Sequence, residues 1–147
     1  MNDLTLHEKT ALGSLAALCL AALWYFPDAV ALQQRSDAVP GDLGVALLGT
    51  IIVIVIVEAV YHAVVARRDD VEAVDERDRL IRARARSFSA LILDVGIISV
   101  LVHIVFGSHW MTPDVQILMV VNLLVGVLLF AEAVEQGATL ILYRRGG

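Results

Sequence analysis

Residues 43–66 read LGVALLGTIIVIVIVEAVYHAVVA, an apolar run interrupted by one acid, Glu58, and one histidine, His62. A helix rises about 1.5 Å per residue and the hydrocarbon core of a bilayer is about 30 Å thick, so about 20 consecutive apolar residues can cross it. This stretch is long enough, and it therefore predicts a membrane-spanning helix.

Three further stretches share this character, namely residues 10–27, 87–106 and 115–143. The whole chain is 59% hydrophobic and 18% charged, with a mean hydropathy of +0.77, which is far more apolar than a soluble domain. The sequence predicts an all-α, polytopic membrane protein with four transmembrane helices in a single membrane domain, residues 1–147. The net charge of −5 argues against a nucleic-acid partner, and the single cysteine excludes an internal disulfide or a cysteine-based zinc cluster.

The basic residues set the expected orientation. Every lysine and arginine except Arg35 lies before the first span, between the second and third, or after the fourth. Because positively charged loops stay in the cytoplasm, both termini and residues 67–86 are predicted to be cytoplasmic. The expected surroundings of the four spans are the lipid bilayer.

The charged segment 67–86 contains no proline or glycine, and after its opening arginine pair its acids lie mostly in the first part and its remaining arginines mostly in the last. We expect a cytoplasmic helical extension of the third span, with Asp75 near Arg79 and Asp78 near Arg82 at helical i,i+4 spacing. Two interpretations remain open. The segment is a docking surface for a protein partner or an anionic lipid, or it is a solvated helix that enforces topology.

Within this segment, residues 75–81 read DERDRLI and lead directly into an apolar helix. This run resembles a motif of small bacterial four-helix inner-membrane proteins of unknown function. The resemblance covers only this motif. It implies a bacterial inner-membrane protein and carries no catalytic residue with it.

The second and fourth spans have similar residues at their starts, in their interiors and at their ends. Each begins near a proline and an aspartate, contains a Glu-Ala-Val triplet and ends on an arginine pair. This pattern is compatible with a duplicated helical hairpin whose two copies are parallel. The alternative is that such starts and ends are common to membrane spans in general.

Four acids lie at one depth in the predicted bundle, about 12–18 Å from the arginines that mark the cytoplasmic boundary. These are Glu58, Asp94, Glu132 and Glu135, and His62 lies one helical turn from Glu58. Ionisable groups inside a membrane are costly and are candidates for function. The layer is interpreted as a site for ion binding or proton relay, or alternatively as neutral, hydrogen-bonded structure. If a divalent metal is the cofactor, its ligands are predicted to be Glu58, His62, Glu132 and Glu135.

The function predicted from this layer is proton or divalent-cation binding and transport. The alternative is a non-catalytic accessory or sensor protein that acts through its charged cytoplasmic segment. A metal-dependent membrane enzyme is the least favoured hypothesis, because His62 alone supplies few nitrogen ligands for a redox or hydrolytic metal.

The third span also predicts a homo-oligomer, most simply a dimer. At about 100° per residue, Asp94 and His103 lie on opposite faces of the helix, and Gly96 and Ser99 lie on the His103 side. We expect Asp94 to point into the acid layer and the stripe Gly96, Ser99 and His103 to contact a second copy. The alternative is that one chain covers both faces.

Overall fold

The computed structural model describes residues 6–35, 40–68, 75–107 and 112–145 of the chain. The side chains of Glu58 and His62 lie outside this description. The described residues form four helices: α1 (Leu6–Gln33), α2 (Pro40–Arg68), α3 (Glu76–Gly107) and α4 (Pro113–Arg145). All four are long and apolar enough to cross a membrane, so the predicted all-α architecture with four candidate spans is confirmed.

The helices pack in the order α2, α1, α4, α3. Extensive contacts join α1 to α2, α1 to α4 and α3 to α4, and a smaller contact joins α2 to α4. Among the described residues, α3 packs against α4 alone. The third helix therefore lies at an edge of the described bundle, and most of its circumference has no neighbour among these four helices.

Local sequence accounts for the start of α3. The Asp75 carboxylate accepts a hydrogen bond from the Glu76 amide at 2.6 Å, and the Asp78 carboxylate accepts one from the Asp75 amide at 3.3 Å. The second bond is the return half of a capping box, with aspartate in place of the usual glutamate, whereas the Asp75 carboxylate binds the amide of the next residue instead of the one three residues on. The DERD part of the motif at residues 75–78 thus has a structural purpose, because it satisfies amides that a helix start leaves open.

The tightest packing joins α1, α2 and α4 near the end of the bundle where α1 finishes and α2 begins. Tyr25 and Ala29 of α1 are each 1% exposed and form a cluster with Leu43 of α2 and Leu118 of α4. The Tyr25 side chain is thus buried between helices. The cluster fixes which face of α4 is directed towards α2.

The predicted boundaries hold with two differences. The first span does not stop at Pro27, because α1 continues through it to Gln33, and membrane helices tolerate an internal proline where neighbouring groups supply partners. The charged extension is a continuous part of α3 from Glu76 onward, as expected, whereas residues 69–74 lie outside the described part. The pairs α1/α2 and α3/α4 are what a duplicated hairpin would give, although the duplication itself stays a prediction.

Candidate functional site

The two acids of α4 continue the face that packs against α1, and to a smaller extent against α2, in the core cluster. Leu118 and Val125 belong to or pack against that cluster, and Glu132 follows Val125 by seven residues, which is close to two helical turns. Glu135 follows Val121, another residue of the cluster, by twice that interval. One stripe therefore runs from the apolar core to Glu132 and Glu135.

The two carboxylates differ in their surroundings. Glu132 is exposed within the chain, whereas Glu135 is half-buried. One turn further on, the Thr139 hydroxyl donates a hydrogen bond to the backbone carbonyl of Glu135 at 2.8 Å, and Thr139 is 8% exposed. The two acids thus lie between the packed residues of the core cluster and the buried Thr139.

On α2, the register of the backbone brings Glu58 close to the inward stripe. Thr50 is buried and Ile54 and Tyr61 are half-buried on this helix, and Glu58 lies one turn after Ile54 and three residues before Tyr61. His62 directly follows Tyr61. The side chains of Glu58 and His62 are not described, so their proposed contacts with the α4 acids stay a prediction.

The inner end of α2 is fixed against α1. The Tyr61 hydroxyl donates a hydrogen bond to the backbone carbonyl of Lys9, and the Tyr61 ring fills the space that a Cβ atom at Gly13 would need. Tyr61 follows Glu58 by three residues and directly precedes His62. Its contacts with Lys9 and Gly13 therefore hold in place the part of the α2 backbone that carries both residues. A glycine on α1 is what allows the aromatic ring to approach.

Asp94 does not join the α4 acids. Its side chain is exposed, on the face of α3 opposite the one that packs against α4. The sequence-based expectation that Asp94 points into the acid layer is therefore wrong within one chain. The physical reason is that small residues, rather than the acid, form the closest contact of this helix with its neighbour.

That contact involves the stripe expected to face a second copy. A Cβ atom at Gly96 would collide with the Val127 side chain of α4, and Val100 on the same face is 4% exposed. His103 is half-buried, and its Nε2 is enclosed with no hydrogen-bond partner among the described residues. Gly96 and His103 therefore pack within the chain, which contradicts their assignment to an intermolecular contact.

Ser99 lies at the margin of this face. It is exposed, and its hydroxyl donates a hydrogen bond to the Val95 carbonyl of the same helix at 2.8 Å. The hydroxyl is thus satisfied by its own helix without a partner chain. Of the three residues of the stripe, Ser99 alone stays accessible for an intermolecular contact.

A buried polar pair joins α1 and α4 away from the acids. The Tyr25 hydroxyl donates a hydrogen bond to Asn122 Oδ1 at 2.7 Å, and Asn122 Nδ2 is buried with no partner among the described residues. Asparagine in a span signals interhelical contact, but nothing in the sequence identifies Tyr25 as its partner. This pair positions α4 against α1 and so supports the register of the acidic stripe.

Within the described residues, no group of three or more His, Cys, Asp or Glu side chains is placed to hold a metal ion. Two of the predicted ligands, Glu58 and His62, lie outside that search. No protein-family model, curated protein or solved structure matches the chain.

Proposed function

We propose that this chain is a small integral membrane protein that binds and transfers protons through carboxylates between α2 and α4. The observation that carries the proposal is the stripe on α4, in which Glu132 and Glu135 continue, at helical spacing, the apolar face that packs against α1 and α2 in the core cluster. Glu58 completes the group by its register on α2. Asp94 is left out, because its side chain lies on the far side of α3.

The chemistry follows from the position of the acids. Glu132 and Glu135 are three residues apart and therefore share one side of a helix. Two carboxylates this close inside a membrane are costly to keep charged together, so the pair favours binding a proton or another cation. A hydroxyl group or a water molecule beside the two carboxylates would accept the proton and pass it on.

A divalent cation is the second ligand that this layer suits. Carboxylate oxygens and one imidazole are ligands of Mn²⁺, Fe²⁺ and Zn²⁺, and Glu58, His62, Glu132 and Glu135 would supply them. Binding of a metal can be distinguished from binding of protons by the metal content of the purified protein. Purified protein would retain the metal through dialysis and lose it when Glu132 is replaced.

The proposed setting is a bacterial inner membrane with both termini in the cytoplasm. Its support is the placement of basic residues, since the arginine-rich start of α3 and the arginine pair that ends α4 lie at the same end of the bundle. The carboxylates then lie in the cytoplasmic half of the bilayer. Protons would then reach them from the cytoplasmic side, where Glu132 is exposed.

A second candidate function is that of an accessory or sensor protein acting through its charged segment. The observation that favours it is the hydrogen bond from the Tyr143 hydroxyl to Asp78 Oδ1 at 2.7 Å. This bond ties the charged start of α3 to the end of α4. A change at the segment would thereby be transmitted to the helix that carries Glu132 and Glu135.

Proton flux in liposomes tests the first proposal. Protein reconstituted with a pH-sensitive dye inside should dissipate an imposed pH gradient, and Glu132→Gln with Glu135→Gln should slow this by at least about tenfold because the relay loses its ionisable groups. Asp94→Asn is the matched control, since it makes the same chemical change at similar depth on the opposite side. An equal loss in the control, or unchanged flux in the double variant, would refute the proposal.

A further inference from the structure

A basic groove lies between the first turns of α3 and the last turn of α4. It encloses about 290 Å³ and is lined by Arg77, Leu80, Ile81 and Arg84 of α3 and by Leu142 and Arg145 of α4. No acidic residue belongs to this lining. Three guanidinium groups from two helices thus surround a short apolar floor, of which Ile81 is the buried part.

The groove lies at the end of the bundle where the apolar run of α3 begins and α4 ends. Arg84 precedes the apolar run of α3 by three residues, or about 4–5 Å, and Arg145 ends α4. Each headgroup layer of a bilayer is about 5–7 Å thick, so Arg84 and Arg145 lie at the level of lipid phosphates. Leu80 and Leu142 add apolar surface beside them.

One hydrogen bond joins the two walls of the groove, and a second lies within α3. The Tyr143 hydroxyl binds Asp78, and Arg82 Nε donates a hydrogen bond to the Asp78 backbone carbonyl at 3.4 Å. Asp78 lies in the sequence between the lining residues Arg77 and Leu80. Its carboxylate is hydrogen-bonded to Tyr143 and its backbone carbonyl to Arg82. The lining of the groove therefore carries the positive charges of three arginines and no negative charge.

We propose that this groove binds the headgroup of an anionic phospholipid. The arginines would hold the phosphate oxygens, for which the planar guanidinium is suited because it donates two parallel hydrogen bonds. Leu80, Ile81 and Leu142 would contact the glycerol and the upper acyl chain. The inference goes beyond the proposed proton site, because none of these residues belongs to the carboxylate layer.

Native mass spectrometry of the full chain, exchanged into mixed micelles of phosphatidylglycerol and phosphatidylcholine, tests the inference. Wild-type protein should retain phosphatidylglycerol in preference to phosphatidylcholine. Arg84→Gln with Arg145→Gln should reduce this preference by about tenfold, because two phosphate contacts are lost. Equal retention of both lipids by the wild type would overturn the proposal and leave an acidic protein segment as the occupant to consider.

The matched control is Arg86→Gln with Arg144→Gln, which removes the same charge from the same two helices at exposed positions outside the lining. This variant should retain the wild-type preference within a factor of about two, as expected for screened surface charges. An equal loss in both double variants would show diffuse attraction instead of a site. If Arg84→Gln with Arg145→Gln does not fold, Arg84→Lys with Arg145→Lys keeps the charge and should still weaken retention, and unchanged retention would overturn the proposal.

A third arm separates a lipid from free phosphate. Leu80→Ser removes apolar contact from a side chain that is 57% exposed, so its folding effect is small. It should lower retention of phosphatidylglycerol and leave competition by inorganic phosphate unchanged. If millimolar inorganic phosphate displaces the lipid fully and Leu80→Ser has no effect, the groove is a free-phosphate site and the lipid proposal is refuted.

Discussion

Gly96 of α3 packs directly against the side chain of Val127 of α4, so that a Cβ atom at position 96 would overlap the valine methyl groups. Small residues let membrane helices approach closely, where dispersion contacts and backbone packing replace the hydrophobic effect. The contact also determines which side of α3 is turned outward. Asp94, on the opposite side, is exposed as a consequence.

Replacing Gly96 by alanine should destabilise the protein, whereas the same change at Gly137 should not. The Gly96→Ala variant must displace Val127, and such overpacking costs about 1–3 kcal/mol. Gly137 is helical and has nothing near its absent Cβ, so Gly137→Ala should be neutral or stabilising by about 0.5–1 kcal/mol. Thermal unfolding in one detergent, followed by circular dichroism, measures both. Equal effects of the two variants would contradict the packing described.

The number and approximate position of the helices could be read from the sequence, because they depend on local properties, although α1 continues to Gln33 past the predicted end at Pro27. Apolar length gives the spans, and Asp75, Thr112 and Pro113 mark the starts of α3 and α4. The sequence also predicts correctly that Asp94 and His103 lie on opposite faces of α3, since this follows from helical periodicity alone.

Which face of α3 turns inward could not be read from the sequence. A stripe of small residues packs equally well within a chain or between chains, and the choice depends on the neighbour that α3 finds. That neighbour is α4 alone among the described helices, which is a property of the whole arrangement. The small residues Ala85 and Ser89, which are 0% and 4% exposed, continue the stripe of Gly96 and are the signal that could have identified the inward face.

The hydrogen bond between Tyr143 and Asp78 should hold the charged start of α3 against α4. Tyr143→Phe removes the donor, and a hydrogen bond of this kind contributes roughly 1 kcal/mol. We expect faster trypsin cleavage at the arginines between Arg77 and Arg82, because the first turns of α3 open more often. Ser87→Ala is the control, since the Ser87 hydroxyl bonds only within its own helix. Identical cleavage rates for Tyr143→Phe and wild type would argue against this role.

The predicted orientation can be tested by labelling in intact cells. In a Cys19→Ala background, single cysteines at Ser36 and Ser108 should react with a membrane-impermeant maleimide, because they follow the first and third spans on the outer side. A cysteine at Ala73, in the charged segment, should react only after the cells are opened. The reverse pattern would place the carboxylate layer and the basic groove on the other side of the membrane.

A homodimer stays a prediction, and the structure changes where its contact should be sought. Gly96 and His103 are occupied by α4, whereas Leu91, Asp94 and Ile98 lie on an open face of α3. An acid in hydrocarbon costs a few kcal/mol, and a second copy of α3 would shield it. In a Cys19→Ala background, single cysteines at Leu91 or Ile98 should therefore cross-link two chains in lipid nanodiscs upon oxidation.

The matched control for this experiment lies on the same helix. A cysteine at Ser89, which is 4% exposed and faces α4, should not cross-link two chains under the same conditions. Asp94→Leu should weaken the cross-link at Leu91 if the acid is paired across the dimer, because the variant no longer needs a polar partner. Cross-links that form equally from Ser89 and Leu91, or a wild-type protein that is monomeric by mass in nanodiscs, would contradict a dimer through this face. In the monomeric case Asp94 faces lipid, and Asp94→Leu should then raise the thermal stability of the single chain by about 2–3 kcal/mol.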